Sequence, residues 1–332
     1  MIGERRDIAR QCGAALIVVL LLVATLSFIL LSITERVKAS VERSVFDRAQ
    51  SELLWKAAAA EEIVARFLEK AQASGGFDRM TPTTGLFAQE IEIPVEDGSN
   101  NVRFRDATRC FNVNALATAS GASIAGGAAQ PTEATRFRDL GVALGLGDSE
   151  AQKIASVITD FIDPDASTET QGAEDGFYTA LPTPYRTAGA RLASVSELRA
   201  MDGVSRLRYR RLKPYLCAID DAAQPQVNLN MLTPDDAPLI VSMTDGKWPL
   251  RAVRNQIESR PPGGWSNVND FWGPFLSNGG TAPSNPGALT SSRVVALVRL
   301  EVDGRTMDEK LLFEVESGAK PKALARTFGE DF

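Results

Sequence analysis

Six carboxylates crowd one short stretch of the chain, Asp160, Asp163, Asp165, Glu169, Glu174 and Asp175, among Pro164, Gly172 and Gly176. Like charges so close repel one another unless a cation or basic groups neutralise them. Hard oxygen donors suit calcium, which accepts about 6–8 of them at loose geometry. Asp160, Asp163, Asp165, Glu174 and Asp175 are therefore candidate metal ligands. The spacing is not that of an EF-hand, because Asp163-x-Asp165 runs into Ser167 and Thr168 without the required Gly and closing Glu. On the residues alone, a solvated acidic loop or the N-caps of short helices is the simpler account. Asp163 and Glu174 are also of the type that does acid–base work. No nucleophile, phosphate loop or cofactor motif accompanies them, and the chain reads as non-enzymatic.

Other chemistry is narrowed by what the 332 residues contain. Histidine is absent, which removes imidazole bases, the usual serine and cysteine triads, and His-ligated zinc or iron. The cysteines are Cys12, Cys110 and Cys217, with no CxxC spacing. Cys110 and Cys217 are the candidates for one disulfide in an oxidising compartment, and two buried free thiols are the other reading. The formal charge of −6 argues against a protein held to nucleic acid mainly by phosphate contacts. One segment points the other way. SELRAMDGVSRLRYRRLKPYL has two short helical patterns meeting at Asp202-Gly203-Val204 and carries Arg206, Arg208, Arg210, Arg211 and Lys213. It resembles a helix-hairpin-helix unit, so a membrane-tethered DNA-binding or uptake protein is the alternative function; a packing hairpin of the same shape is preferred, and no nucleic-acid partner is expected.

The elements that position these residues begin with AALIVVLLLVATLSFILLSI, residues 14–33, an uncharged run of the roughly 20 residues needed to span a bilayer core. Arg5, Arg6 and Arg10 precede it, and a Lys/Arg bias there keeps the short end cytoplasmic. A cleaved secretory signal is the competing reading, weakened by the length of the apolar run. Neither Gly nor Pro occurs in 14–73, and Val37, Val41, Val45, Leu53, Leu54, Ala57, Ile63, Val64, Phe67 and Leu68 recur mostly at three- and four-residue steps. The helix is expected to continue past the membrane as an amphipathic rod over 34–74.

After Ser74-Gly75-Gly76, alternation at Ile91, Ile93 and Val95 and again at Val102 and Phe104, around Asp97-Gly98-Ser99-Asn100, predicts a hairpin. A second hairpin is predicted near the C-terminus, in RVVALVRLEVDGRTMDEKLLFEV, turning at Asp303-Gly304. The two are expected to share one antiparallel sheet on the N-terminal helix. Between them the pattern is helical, as in EAQKIASVITDFID and PDDAPLIVSMTD. The fold class is thus α+β, with a large α-helical subdomain inserted into the sheet. Phe111-Asn112-Val113-Asn114-Ala115-Leu116 is echoed by Val227-Asn228-Leu229-Asn230-Met231-Leu232, which reads as a repeated capping device. The small-residue run ATASGASIAGGAAQPTEA reads as a mobile loop.

A short basic leader ending at Gly13, an apolar stretch directly after it and a long amphipathic continuation resemble the type IV pilins and pseudopilins. The resemblance implies cleavage by a prepilin peptidase between Gly13 and Ala14, with methylation of the new terminus. Most pilins carry Glu at the fifth mature position, where this chain has Val18. The run from ITDFIDPDASTETQ to LKPYL, both Asn-x-Asn segments and the leader resemble, in family order, the type II secretion protein K family, the large minor pseudopilin, whose members also lack that Glu. This resemblance implies calcium in the helical subdomain and partnership with minor pseudopilins I and J in a tip complex. It also implies an inner-membrane, single-pass anchor with the globular part periplasmic, and a contact with secretin or secreted cargo during export of folded proteins. The expected organisation is leader 1–13, transmembrane helix 14–33, helix continuation 34–74, first β part 75–111, α subdomain 112–286, C-terminal hairpin 287–318 and tail 319–332.

Overall fold

The run without Gly or Pro forms a single helix, α1 (Glu4–Ala73). The computed structural model describes the backbone of residues 4–75, 77, 80–95, 98–118, 132–302, 305–316 and 318–328, with the side chains of these residues from 16 onward except at 94, 95, 98, 99, 118 and 302. The small-residue loop, the two hairpin turns and the side chain of Ala14 at the expected cleavage site lie outside the described residues. Two compact units are present, 1–59 with 301–306, and 60–300 with 307–332. In the first, α1 holds the one described helix long and apolar enough to cross a membrane, with a window of mean hydropathy 3.1. Further along the same unit, the Arg305 guanidinium lies 4.5 Å from the centre of the Phe46 ring, a cation–π contact.

In the second unit, the end of α1 buries Ala60, Val64 and Leu68, the four-residue steps that put one face of a helix on a sheet. Phe67 stacks on Phe104 with ring centres 5.5 Å apart. The sheet is built from β1 (Glu90–Val95), β2 (Gly98–Asp106), β5 (Arg293–Val302), β6 (Arg305–Glu314) and β7 (Lys322–Phe328), in the order β1-β2-β5-β6-β7. Both predicted hairpins supply neighbouring strands of it. In β2, Val102 and Phe104 pair with Val298 and Ala296, and all four are buried, so the alternation selects the face that meets the helix. Residues 319–332 read as a tail from sequence. The structure instead makes Lys322–Phe328 an edge strand, antiparallel to β6. Every residue of β7 is exposed, so it carries no buried alternation by which sequence could reveal it.

Among the described residues between β2 and β5, the inserted subdomain holds two short strands and seven α-helices: β3 (Phe111–Asn112), α2 (Glu133–Ala143), α3 (Asp148–Ile162), α4 (Asp175–Thr179), α5 (Arg206–Leu212), β4 (Leu216–Cys217), α6 (Ala237–Met243), α7 (Leu250–Glu258) and α8 (Val268–Ser277). They enclose two cores, one around Phe137, Ile158, Tyr178 and Leu212, the other around Ile240, Val253, Phe271 and Trp272.

Each core is closed by one Asn-x-Asn segment in the same way. Asn112 Oδ1 accepts from Asn114 N, and Asn228 Oδ1 accepts from Asn230 N. Asn114 accepts from Leu192 N and donates to Leu192 O. Asn230 does the same with Trp265 N and Trp265 O. Asn112 pairs in parallel with Cys217, as Asn228 does with Ala288. Two residues past each clamped loop residue, Ser194 and Asn267 cap the next helical turn. The shared pattern is Leu192-Ala-Ser-Val-Ser-Glu-Leu198 against Trp265-Ser-Asn-Val-Asn-Asp-Phe271. The echo is therefore more than a repeated cap. It marks two copies of one clamp, each made by a buried asparagine, and the acidic loop lies within the span that the first one closes.

Candidate metal centre

Asp160 and Asp163 lie at the C-terminal end of α3, where the helix dipole is negative and carboxylates are disfavoured. Asp165 follows, and its Oδ1 is taken by Ser167 N at 2.8 Å. The chain returns through Gln171 and Gly172 to Glu174, the N-cap of α4. Asp163, Asp165 and Glu174 each bring a carboxylate oxygen within 4.8 Å of the other two.

Asp160 stands beside this trio. Its Oδ1 accepts from Glu169 N at 2.9 Å, while Asp160 Oδ2 and Glu174 Oε1 are buried without a hydrogen bond of normal geometry. Burial pushes the Asp160 carboxyl above its ordinary range, and Glu169 and Asp165 push it further. Glu174 is raised by burial first and then by Asp160, Asp165 and Asp175. A Cβ at position 172 would fall 1.9 Å from Asp160 Oδ2, so a larger residue there would have to displace that carboxylate.

Asp175, one of the five residues chosen from sequence, does other work. Its Oδ1 accepts from Thr187 N and Thr187 Oγ1, both at 2.9 Å, and its Oδ2 accepts from Arg186 at 3.0 Å. These partners hold its pKa below the ordinary carboxylate value, with the Thr187 backbone N–H as the largest cause. Asp175 is thus a clamp for the 186–189 loop and stands apart from the trio. That loop closes over the end of α3, where Ala188 N and Gly189 N both donate to Phe161 O at 3.1 Å. Nothing in sequence signals Thr187, which sits in an aperiodic loop 12 residues from its partner.

The donor set fits a hard divalent cation. Three convergent carboxylates between the C-terminus of α3 and the N-cap of α4, with Asp160 Oδ2 and Glu174 Oε1 buried and without a hydrogen bond of normal geometry, form an anionic cluster that a cation would neutralise. It offers neither a nucleophile nor a sulfur or nitrogen ligand.

Cys110 and Cys217 are joined in a disulfide beside the β3–β4 pair. The hairpin of the helix-hairpin-helix segment is tied to α3. Lys153 pairs with Asp202 at 2.7 Å, and Arg208 pairs with Glu150 and donates to Gly203 O. Val204 N and Ser205 N donate to Met201 O and Gly203 O within the hairpin, so those two backbone donors are not offered to a phosphate.

A long N-terminal helix whose C-terminal end packs on an antiparallel sheet, with a large α-helical insertion between the second and third strands of that sheet, is a pilin-like architecture. Models of type II secretion system (T2SS) protein K match residues 109–221 and 227–289, each of which contains one of the two asparagine clamps. A type II secretion system protein K from Pectobacterium carotovorum is 33% identical over 331 residues, covering 97% of each chain. One from Aeromonas hydrophila is 34% identical over 259 residues, 77% of this chain and 78% of its own. Among solved structures, a chain of the GspK–GspI–GspJ complex from the type 2 secretion system of enterotoxigenic Escherichia coli superposes with a TM-score of 0.70. It shares 24% identity, and the match covers 87% of this chain and 99% of that one. The chain belongs to the type II secretion system protein K family. It is a minor pseudopilin, a membrane-anchored structural component with a periplasmic globular part.

Proposed function

We propose that this chain is a non-enzymatic subunit of the tip of the type II secretion pseudopilus, where it joins minor pseudopilins I and J and assists export of folded periplasmic proteins across the outer membrane. The observation that carries this reading is the protein K likeness along 97% of the chain, together with the co-crystallised partners named for the structural relative. A prepilin peptidase cuts between Gly13 and Ala14, the apolar helix holds the subunit in the inner membrane with its N-terminus cytoplasmic, and the α subdomain faces the secretin or the cargo. Val18 in place of a carboxylate suits a subunit with nothing stacked above it, since an unpaired carboxylate at membrane depth costs about 2.5–3.5 kcal/mol.

Calcium belongs to the same reading. Asp163, Asp165 and Glu174 would hold it, with Asp160 beside them. The ion would supply the positive charge that ties the end of α3 to the start of α4. Intact mass from cells with and without prepilin peptidase tests the placement in the pilin class. A peptidase-dependent loss of residues 1–13 supports it, and an uncut chain refutes it. Co-purification of the full chain with pseudopilins I and J from membranes tests the tip assignment, which fails if neither is recovered.

A further inference from the structure

Helix α5 presents an unusual face. At 100° per residue, Arg206, Arg210, Leu207 and Arg211 fall on one side of it, while Tyr209 and Leu212 are buried on the other. Leu207 is 59% exposed and is flanked by arginines. Arg206 and Arg210 are a like-charge i,i+4 pair, a spacing that disfavours the helix, and no described carboxylate pairs with either. Arg211 donates to Gly145 O and lies within electrostatic reach of Glu150, whose carboxylate also pairs with Arg208. In a chain of net charge −6, positive charge is thus concentrated around one solvent-facing apolar side chain.

We propose that this face docks an acidic protein segment that carries an apolar side chain against Leu207. Apolar anchors ringed by charge, with arginine enriched, are the pattern of protein–protein interfaces. A phosphate backbone offers Leu207 no counterpart. A lipid surface needs a broader apolar face than one leucine on a seven-residue helix provides. The proposal stands on α5 alone and goes beyond assembly with pseudopilins I and J.

The test uses the full chain in detergent and a labelled oligoglutamate peptide with one central leucine. The comparators are the same peptide with serine at the centre, oligothymidylate, and phosphatidylglycerol vesicles. The leucine peptide is expected to bind more tightly than the serine peptide. Arg206→Ser with Arg210→Ser should weaken both peptides by about tenfold or more. Leu207→Ser should reduce the leucine peptide to the level of the serine peptide and leave the melting temperature unchanged. Equal binding of both peptides to the unaltered chain overturns the proposal, as does insensitivity to Leu207→Ser. Tighter, arginine-dependent binding of oligothymidylate or of the vesicles overturns it in favour of a nucleic-acid or membrane surface.

Discussion

Arg326 Nε lies 3.2 Å from Glu309 Oε1, and the same guanidinium pairs with Glu61 of α1. Arg326 faces Leu311 across the β6–β7 pair, so its contact with Glu309 is a diagonal cross-strand pair on the helix-facing side of the sheet. One arginine therefore ties the exposed edge strand to both layers beneath it. Glu309 is 1% exposed. Burial lifts its pKa to about 7, opposed by Arg326 and reinforced by Glu61.

A pH dependence follows from this arrangement. A carboxyl raised in the folded state binds more protons folded than unfolded, so its stabilising contribution is full below its ordinary pKa and is lost as pH rises through about 7. The melting temperature of the full chain in detergent should fall between about pH 5 and pH 8. Glu309→Gln should remove that part of the slope and stabilise the alkaline side by on the order of 1–3 kcal/mol. Arg326→Ala should cost more at the alkaline end than at the acid end, because only there does it leave an uncompensated charge. Parallel slopes in all three proteins would show that Glu309 does not titrate in this range.

The acidic trio predicts a metal-linked stability. Calcium in excess should raise the melting temperature, with about 2.7 kcal/mol of stabilisation at a hundredfold excess over the dissociation constant. Glu174→Gln should abolish the shift. It should also raise the melting point without metal, since it removes a charge that Asp160 and Asp165 repel. Asp175→Asn should lower stability with and without calcium but keep the shift, because Asp175 holds Thr187 and Arg186. If calcium shifts neither the unaltered chain nor Asp175→Asn, the trio is a solvated acidic turn.

Gly172→Ala separates the role of Asp160 from that of the trio. The new Cβ would overlap Asp160 Oδ2, displacing that buried carboxylate at a cost of about 1–3 kcal/mol. Urea unfolding of the two proteins measures it. Asp160→Ala in the Gly172→Ala background should recover most of the loss, and failure to do so would assign the cost to the backbone of the turn.

Legibility in the sequence followed the range of each interaction. The helix, both hairpins and the helical insertion came from periodicity within single segments, because burial on one face imposes a local pattern. Cys110 and Cys217 were readable as a possible pair only because so few cysteines exist. Asp163, Asp165 and Glu174 were visible as a dense acidic run, but separating them from Asp175 needed Thr187, which no periodicity announces. β7 was invisible because its only distinctive side chain, Arg326, is held by Glu61, 265 positions away in sequence. The Asn-x-Asn echo was visible as well, yet its meaning lies in partners 78 and 35 residues away.

Those asparagines give the sharpest comparison between the two copies. Asn114 is fully buried, donates to Leu192 O and Ile219 O, and accepts from Leu192 N. Asn230 is equally buried and makes the matching set to Trp265 and Leu289. Replacing either by Ala strands buried backbone groups, each worth about 1–3 kcal/mol, so either variant should lose on the order of 3 kcal/mol. Asn114→Asp should be nearly as harmful, since a carboxylate keeps the bond from Leu192 N but cannot donate to the two carbonyls. If the copies are equivalent clamps, denaturant unfolding should show losses of similar size for Asn114→Ala and Asn230→Ala. Only Asn114→Ala should also weaken the calcium response, because Leu192 anchors the C-terminal side of the segment that runs from the acidic loop through Thr187. A large loss at one site and none at the other would mean that the two clamps, though alike in geometry, do not carry equal shares of the subdomain.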